Sequence, residues 1–500
     1  MNKPAGSAAR YLFGAIFLLG FTSCGGGGSG GGGAGGGATS STAVSNSTEA
    51  SSGSLGVFIS NGNATVAAPS GASTSGSSSG NSGTTSSTNT AYLITLPSAQ
   101  NPTPSYTQIQ CNTSSFSISG VNLDTQHSVG VAFDINSYQL EFFQFSTGSN
   151  VSNCNPYTNL TATDQIDTSA GLTDVGGVVM DPSIQTAIVE TGSGFQFVDY
   201  SNPQSPGPST VYNTIPPYTA SGGGIDLVEN FAYDPYLVVG GVSYKMILSG
   251  SGEVSYSQGK SDGFLLEFAD IQTGIIYRPD SNTAAIFPTS TSNGCSADAI
   301  GVDTSYQVAI IGCEYDGLSK PNVETSPSLV TVLVNLNALV LHASSGTYSL
   351  PSTAVSIVTL TQSAPPQNNI FVDSVNHIVM WGAGGDWGSS GSSFSVARLS
   401  DPFTSFGNGI VGGAATLATM PAFSSSNTDL CPLSGCTSSS SYPSSWDGYG
   451  YPHGSAMYVD SSGNSVALWM NQSASFLAMV KANEFLTGIP SNGVTYIGIP

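Results

Sequence analysis

Carboxylates recur at one kind of position in this chain, at the end of a short apolar run and before a few turn-forming residues. The six recurrent aspartates are Asp134, Asp181, Asp234, Asp303, Asp373 and Asp460. Ca²⁺ prefers oxygen ligands, so carboxylates from several repeats around a central channel could hold that ion. An Asp that enters a tight turn also accepts hydrogen bonds from the following backbone N–H groups. Repetition at one structural position favours the turn role. We therefore predict no metal site and keep these six residues only as secondary Ca²⁺ candidates.

The units that carry these aspartates predict the fold. In the unit of Asp181, the apolar runs cover residues 177–181, 186–190 and 194–199, separated by turn-forming residues. Past residue 105 no segment has the pattern of a long amphipathic helix, which argues against parallel βαβ repeats. Antiparallel units that recur bury their faces against neighbouring copies. The sequence therefore predicts an all-β chain that forms a β-propeller of about six blades, with a seventh from residues 91–123 left open.

One unit has a more specific pattern. Residues 194–206 read Gly-Phe-Gln-Phe-Val-Asp-Tyr-Ser-Asn-Pro-Gln-Ser-Pro. This segment resembles the repeat of bacterial surface propellers of the LVIVD type, which is roughly Gly-Leu-x-Val-Val-Asp-x-Ser-Asn-Pro-x-x-Pro. Residues 398–402 are a fainter match. The resemblance covers one unit and implies the propeller architecture rather than an activity.

The first residues predict export. Residues 1–10 carry two cations and no acid, and residues 11–21 form one apolar run. Eleven helical residues rise about 16 Å, far less than a bilayer core of about 30 Å, so the run is typical of a signal peptide. The following Phe-Thr-Ser-Cys24-Gly resembles a bacterial lipobox. That resemblance implies removal of residues 1–23, acylation of Cys24, palmitate included, and a lipoprotein of the outer membrane, on its periplasmic or cell-surface side. A plain export signal is the alternative.

Residues 24–90 are rich in Gly, Ser and Thr, and such a composition cannot bury enough apolar surface to fold. We expect a lipidated, disordered tether there, followed by the propeller domain with long loop insertions over residues 91–500. Residues 56–68 interrupt the tether with two apolar runs around Asn61-Gly62, a hairpin signal. That hairpin either stands alone or joins the main domain.

Charge limits the partners. The chain has 30 Asp and Glu against 8 Lys and Arg, and without the two cations of the leader this becomes 6 against 30, a net charge of −24. Nucleic acid binding needs clustered cations, so nucleic acid is excluded as a partner. An uncharged or cationic partner is favoured over an anionic one. We expect a monomer that meets the membrane through its lipid alone.

Six cysteines follow Cys24, and an even number in an exported chain predicts disulfides. The predicted pairs are Cys295–Cys313 across a strand hairpin, Cys431–Cys436 in a local loop and, by elimination, Cys111–Cys154. A zinc site is disfavoured because the chain has no C-x₂-C spacing.

No catalytic constellation is visible in the sequence. The four histidines, His127, His342, His377 and His453, are far apart, and we assign them to turns or surfaces. Aromatic rings in Gly-rich loops can stack on a sugar or contact a protein. The candidates for partner binding are therefore Tyr442, Trp446, Asp447, Tyr449, Tyr451, His453 and Trp387.

The preferred functional prediction is a lipid-anchored, non-catalytic module that binds a protein or a glycan, with no cofactor. The alternative is a propeller hydrolase or lactonase that uses Ca²⁺ in the channel.

Overall fold

The fold is that of a computed structural model. It describes residues 49–50, 55–60, 66–67, 90–95, 105–109, 111, 120–134, 139–146, 151, 153–160, 177–217, 223–224, 231–251, 265–280, 296–314, 330–359, 369–382, 393–399, 410–419, 456–460, 462–470, 476–487 and 494–498. Several predicted features lie outside these residues: the leader with Cys24, the cysteines Cys295, Cys431 and Cys436, and the aromatic loops with Trp387 and residues 442–453. Among the described residues, no helix has the length and apolar character needed to cross a membrane.

The described strands form seven sheets, which we call blades 1 to 7 in chain order. A two-residue strand, β1 (Glu49–Ala50), precedes the first blade. Blade 1 contains β2 (Leu55–Ser60), β3 (Val66–Ala67), β4 (Thr90–Thr95) and β5 (Ser105–Ile109). Blade 2 contains β6 (Gly120–Asp124), β7 (Val129–Asp134), β8 (Gln139–Gln144) and β9 (Cys154–Tyr157). Blade 3 contains β10 (Gly177–Asp181), β11 (Thr186–Thr191), β12 (Gly194–Asp199) and β13 (Gly207–Pro208).

In the next two blades, a hairpin from the chain segment of blade 5 pairs with the last strand of blade 4. Blade 4 contains β14 (Ala232–Val239), β15 (Val242–Ser251), β16 (Leu265–Asp270) and β17 (Ile276–Pro279). Blade 5 begins with β18 (Ser296–Asp303), β19 (Val308–Glu314) and β20 (Val330–Asn335). The hairpin of β21 (Val340–His342) and β22 (Thr347–Ser349) then extends blade 4, because β22 pairs in parallel with β17. Blade 5 ends with β23 (Val355–Thr359).

The last two blades repeat the plan. Blade 6 contains β24 (Asn369–Asp373), β25 (Ile378–Gly382), β26 (Ser393–Leu399) and β27 (Ile410–Thr419). Blade 7 contains β28 (Ala456–Asp460), β29 (Ser465–Met470), β30 (Phe476–Lys481) and β31 (Val494–Gly498), with β1 paired in parallel to β28. Within the described residues, the helices are 3₁₀ turns at Leu336–Ala338, Ser352–Ala354 and Ala482–Thr487.

Apolar side chains fill the space between successive blades, so that each blade buries its faces against its neighbours. Phe142 of blade 2 stacks on Tyr200 of blade 3, with ring centroids 6.0 Å apart. Phe195 of blade 3 contacts Phe231, which precedes blade 4, edge to face at 4.8 Å. The first strands of successive blades also contact one another, as β6 does with β10 and β18 with β24. The prediction of an all-β propeller is confirmed.

Blade 1 starts earlier than the predicted domain boundary. Strand β2 pairs with β3, as the Asn61-Gly62 signal predicts, and its other edge pairs with β4. The boundary drawn at residue 90 thus falls inside this sheet, and residues 24–90 contribute strands to it as well as to blade 7 through β1. The seventh sheet is built from residues 55–109 rather than from 91–123.

Asp134 was predicted to end the first strand of its blade, and this prediction was wrong. Asp134 ends β7, the second strand of blade 2, and the residue that ends the first strand is Asp124. The apolar run before Asp124 is interrupted by Asn122, which hid the strand from the sequence pattern. Asn122 is nevertheless buried, because its side-chain amide donates to the carbonyl of Val178 in blade 3 at 2.8 Å. A satisfied polar group of this kind is tolerated in a core.

Candidate functional site

The turns between the first and second strands carry the recurrent carboxylates. In blades 2, 3, 5 and 6, Oδ1 of the Asp accepts at least one backbone N–H from this turn, at 2.8 to 3.3 Å. In blade 4 the Asp lies within β14, where its Oδ1 accepts the backbone N–H of Tyr236 at 2.8 Å. These five residues are Asp124, Asp181, Asp234, Asp303 and Asp373. The turn-cap role predicted for Asp181, Asp303 and Asp373 is therefore what the structure shows, and Asp124 joins them. For Asp234 the prediction of a turn was wrong, because residues 232–239 form one strand, β14, whose pairing with β15 shifts register between Asp234 and Leu237.

Four of these turns end on a residue with left-handed backbone. The residues, four positions after the Asp, are Ser128, Gln185, Gln307 and His377, with φ of 56°, 49°, 54° and 57°. Such a φ is uncommon for residues other than glycine and costs about 1–3 kcal/mol unless the surroundings hold it. Two of the four, Gln307 and His377, place their side chains on the carboxylate of the preceding blade.

The second oxygen of each Asp, Oδ2, accepts a hydrogen bond from the next blade. The donor differs at every junction. The donors to Asp124, Asp181, Asp234, Asp303 and Asp373 are, respectively, Tyr200 OH (2.9 Å), Tyr233 OH (2.6 Å) with Lys245 Nζ (2.8 Å), Gln307 Nε2 (3.3 Å), His377 Nδ1 (2.8 Å) and Ser465 Oγ. Each carboxylate therefore connects the backbone that follows it to the neighbouring blade by hydrogen bonds.

Burial makes these carboxylates sensitive to their partners. Asp181 is 2% exposed and the other four are fully buried. Burial raises the pKa of Asp234 to about 7, although the Tyr236 N–H and the Gln307 amide oppose the change. Burial likewise raises the pKa of Asp303, against the opposing effect of His377. A buried carboxylate that loses its donors is strongly destabilising.

Four of the six Ca²⁺ candidates, Asp181, Asp234, Asp303 and Asp373, do not fit a Ca²⁺ ring. Their oxygens already accept protein donors, and at Asp181 one donor is a lysine ammonium, which occupies the place a cation would take. In the described part of the chain, the only close group of three metal-ligand side chains is Cys111, Glu141 and Cys154, whose two sulfurs are joined in a disulfide. No step through Ca²⁺ is derived for these residues.

One junction differs from the others because its exposed hydroxyl contacts both a carboxylate and an ammonium. Ser183, two residues after Asp181, is exposed, and its Oγ donates to Asp181 Oδ1 at 2.6 Å. Lys245 of blade 4 donates to the same Oγ at 2.7 Å, and its side chain is 14% exposed. A hydroxyl held between a carboxylate and an ammonium has the parts of an activated nucleophile: a proton acceptor, and a positive charge beside the oxygen.

Tyrosines fix this arrangement. Tyr233 donates to Asp181 Oδ2, so that together with Lys245 it occupies that oxygen and leaves Oδ1 facing Ser183. Burial, followed by the charge of Asp181, raises the pKa of Tyr233 well above its usual value, so its hydroxyl stays a donor at neutral pH. The Lys245 ammonium also lies 6.0 Å from the ring centroid of Tyr236, within cation–π range.

The three described histidines lie in turns or on the surface, as predicted, and His453 lies outside the described residues. His127 Nδ1 contacts Asp124 in its own turn at 2.7 Å, and His377 stacks on Tyr306 with centroids 3.5 Å apart. His342 lies on the exposed hairpin β21–β22. Sequence reasoning missed Ser183 and Lys245, which are 62 residues apart and come from different blades. The available signal was that Lys245 is one of only 8 cations in the chain.

Comparison with known proteins concerns the fold alone. No family model matches the sequence, and no curated protein matches it. A Bacteroides uniformis structure assigned as a 6-phosphogluconolactonase is similar at 10% identity and a TM-score of 0.42, over 89% of this chain and 98% of that one. A Bacteroides fragilis structure assigned likewise shares 8% identity and a TM-score of 0.40, over 90% and 97% of the two chains. The Pseudomonas aeruginosa periplasmic gluconolactonase shares 11% identity and a TM-score of 0.36, over 68% and 79%.

The structures just named are called lactonases, which contradicts the preferred prediction of a non-catalytic binding module and favours its hydrolase alternative. Because likeness at these identities assigns no activity, the hydrolase alternative has to stand on the geometry of this chain.

Proposed function

We propose that the chain is a hydrolase of carboxylic esters, cyclic esters (lactones) included, with Ser183 as its nucleophile. The observation that supports it is the position of the exposed Ser183 Oγ, 2.6 Å from a carboxylate oxygen of Asp181 and 2.7 Å from the Lys245 ammonium. A nucleophile within hydrogen-bond reach of its base, with the base oriented by a third group, is the general arrangement for covalent catalysis. Here Tyr233 is the orienting group.

The chemistry follows from these contacts. Ser183 Oγ attacks the carbonyl carbon, its proton passes to Asp181 Oδ1, and the Lys245 ammonium is the nearest positive charge for the oxyanion that forms. Collapse of the intermediate expels the alcohol oxygen, which takes the proton back from Asp181. A water then attacks the carbonyl carbon of the acyl-serine and gives its proton to Asp181. The bond from that carbon to Ser183 Oγ breaks, Oγ takes the proton back from Asp181, and the carboxylic acid leaves.

The charge of the chain favours uncharged esters. The one cation of the site, Lys245, is balanced by Asp181. Asp234 in blade 4 and Asp303 in blade 5 add negative charge in the neighbouring blades when they are ionised. A phosphorylated substrate would meet this field without a free cation of the site to bind it, so we propose that it is excluded. The proposal keeps the export of the chain and its lipid anchor at Cys24, supported by residues 11–24 of the sequence alone.

The test compares two serines at the same turn position. Ser183 and Ser305 each follow an Asp by two residues and donate a backbone N–H to it, but in the described part of the chain only Ser183 contacts a lysine. Full-length protein is assayed on uncharged nitrophenyl esters and lactones. We expect Ser183→Ala to lower kcat/KM about 10³-fold or more. Ser305→Ala should stay within about twofold of the unmodified chain, since it lacks the contacts that activate Ser183.

Two results would overturn the proposal. One is that the unmodified chain hydrolyses none of these esters. The other is hydrolysis that survives Ser183→Ala, or that falls equally in both variants, because the activity would then not depend on the Lys245 contact.

A further inference from the structure

A bulge in β14 places an aromatic ring beside the candidate nucleophile. The pairing of β14 with β15 shifts register after Asp234. Pro235 and Tyr236 consequently lie opposite one residue, Lys245. Proline has no N–H to give to a strand ladder and is found at bulges, and a bulge re-aims the side chains next to it. The Lys245 Nζ lies 6.0 Å from the centroid of the Tyr236 ring.

The Tyr236 ring is therefore part of the surroundings of the reacting hydroxyl. The same Lys245 Nζ that lies near the ring contacts Ser183 Oγ at 2.7 Å. Burial, followed by the charges of Asp181 and Asp234, raises the pKa of Tyr236, so its phenol stays neutral. Tyr236 is only half-buried. A neutral aromatic side chain next to the ammonium is thus available to a substrate that reacts at Ser183.

An exposed apolar side chain lies on the same face of blade 4. Leu237 and Val239 belong to the core between blades 4 and 5, so Val238 points to the opposite face of the strand. Lys245 also points that way, because it contacts blade 3. Val238 lies opposite Ser243, two residues from Lys245, and is 42% exposed. Covering it with an apolar group of a ligand is favourable.

The reaction determines which part of an ester faces blade 4. The alcohol oxygen takes its proton from Asp181 Oδ1, so the alcohol lies on the side of blade 3. The developing oxyanion lies next to the Lys245 ammonium. The acyl group is the remaining substituent of the carbonyl carbon, and Tyr236 and Val238 form the surface that is left for it.

We propose that Tyr236 and Val238 bind the acyl group of the substrate, and that Tyr236 makes an aromatic acyl group the preferred one. This inference rests on the proposed function, because it needs Ser183 as the nucleophile. Two aromatic rings gain from offset or edge-to-face contact beyond the burial of their area. The nearby Lys245 ammonium also attracts an aromatic face, which a saturated ring does not have. The substrate class is then an uncharged ester of an aryl-substituted carboxylic acid.

Competition between two esters tests this preference. Methyl phenylacetate and methyl cyclohexylacetate have the same carbon skeleton, but the ring is flat in one and puckered in the other. Full-length protein receives both at equal concentration, and chromatography quantifies the two acids. Each rate is divided by the rate of hydroxide hydrolysis of the same ester. We expect the unmodified chain to prefer the phenylacetate about fivefold or more in kcat/KM.

Variants then assign the preference to one ring. Tyr236→Leu should reduce it to about twofold or less, whereas Tyr236→Phe keeps the ring and should keep the preference. Tyr244→Leu is the matched control, because Tyr244 packs against the core on the other face of blade 4 and should not affect the ratio. Since both esters compete for the same molecules, the ratio does not depend on how much of a variant is folded.

The second side chain has a smaller effect of another kind. Val238→Thr keeps the shape of the side chain and makes it polar. It should lower kcat/KM for both ring esters about twofold relative to methyl acetate, which has no ring, and leave their ratio unchanged. An unchanged value relative to methyl acetate would remove Val238 from the acyl site.

The results separate this inference from the proposed function. If hydrolysis depends on Ser183 but the unmodified chain does not prefer the phenylacetate, the aromatic acyl site is wrong and the nucleophile stands. The acyl site is equally wrong if Tyr236→Leu keeps the preference, or if Tyr244→Leu loses it to the same extent. Hydrolysis of none of these esters, or hydrolysis that survives Ser183→Ala, overturns the proposed function and this inference with it.

Discussion

The junctions on either side of blades 4 and 5 show how one carboxylate motif can serve two purposes. Between blades 3 and 4, Asp181 caps its turn through Ser183 and accepts Tyr233 and Lys245. Between blades 5 and 6, Asp303 caps its turn through Ser305 and accepts His377. The turns have the same Asp-x-Ser spacing.

The donor from the next blade makes the difference. Lys245 is long enough to reach both Asp181 and the hydroxyl of Ser183. His377 stacks on Tyr306 and reaches only the carboxylate of Asp303. The shared carboxylate therefore holds the blades together at both junctions, and a reactive hydroxyl arises only where the donor extends past it. Variants at matched positions can test this difference.

The largest effect should follow from removal of Lys245. Lys245→Met breaks a buried ion pair, which costs about 3–5 kcal/mol of unfolding free energy, and it takes the positive charge from Ser183. Hydrolysis should fall about 10²- to 10³-fold, as is usual when a donor to the developing charge is lost. Steady-state kinetics and urea unfolding measure the two effects. His377→Gln is the counterpart at the other junction. It installs the side chain that Gln307 already provides to Asp234, and it should cost only about 1 kcal/mol with hydrolysis unchanged.

The junction between blades 4 and 5 predicts a dependence of stability on pH. The pKa of Asp234 is raised from 3.8 to about 7, so the folded chain holds this proton more tightly than the unfolded chain does. Its contribution is fully present below about pH 4 and is lost as the pH rises through 7, at up to about 1.4 kcal/mol per pH unit. The raised pKa of Asp303 acts in the same direction.

Urea unfolding between pH 5 and pH 8 measures this loss. Asp234→Asn should reduce the slope, because the amide cannot titrate. Asp199→Asn is the control: it removes one carboxylate at the end of β12, where Asp199 accepts the Ser201 N–H outside this junction, and it should leave the slope unchanged. A slope that is the same in Asp234→Asn and in the unmodified chain would contradict the assignment.

A smaller effect should separate the two tyrosines that donate to carboxylates. Tyr200→Phe and Tyr233→Phe each remove one hydrogen bond to a buried Asp, and each should cost about 1–3 kcal/mol. Only Tyr233 orients the base of Ser183, so only its variant should lower kcat, with KM nearly unchanged. Equal kinetics in the two variants would show that Tyr233 positions nothing in the reaction.

Much of the fold could be predicted from the sequence because each unit repeats a local signal. An apolar run that ends in Asp and turn residues is visible without any knowledge of the partner blade, and so is the Asn61-Gly62 hairpin. The pattern failed in blade 2, where the buried Asn122 interrupts the first strand and Val129–Asp134 has the same apolar run ending in Asp.

The candidate site could not be predicted in the same way. The carboxylate is set by its own turn, but its donor comes from another blade and is a Tyr, Lys, Gln, His or Ser. No spacing rule links Ser183 to Lys245, because the loop lengths between blades vary. Only the fold brings these two side chains together.

The most direct test of this account is covalent labelling of the folded chain with an uncharged fluorophosphonate, followed by mass spectrometry of the modified peptide. We predict an adduct on Ser183 that is absent from Ser183→Ala and strongly reduced in Lys245→Met, with Ser305 unlabelled. An adduct that forms equally on Ser183 and Ser305, or labelling of Ser183 that is unaffected by Lys245→Met, would contradict the claim that the donor from blade 4 activates this hydroxyl.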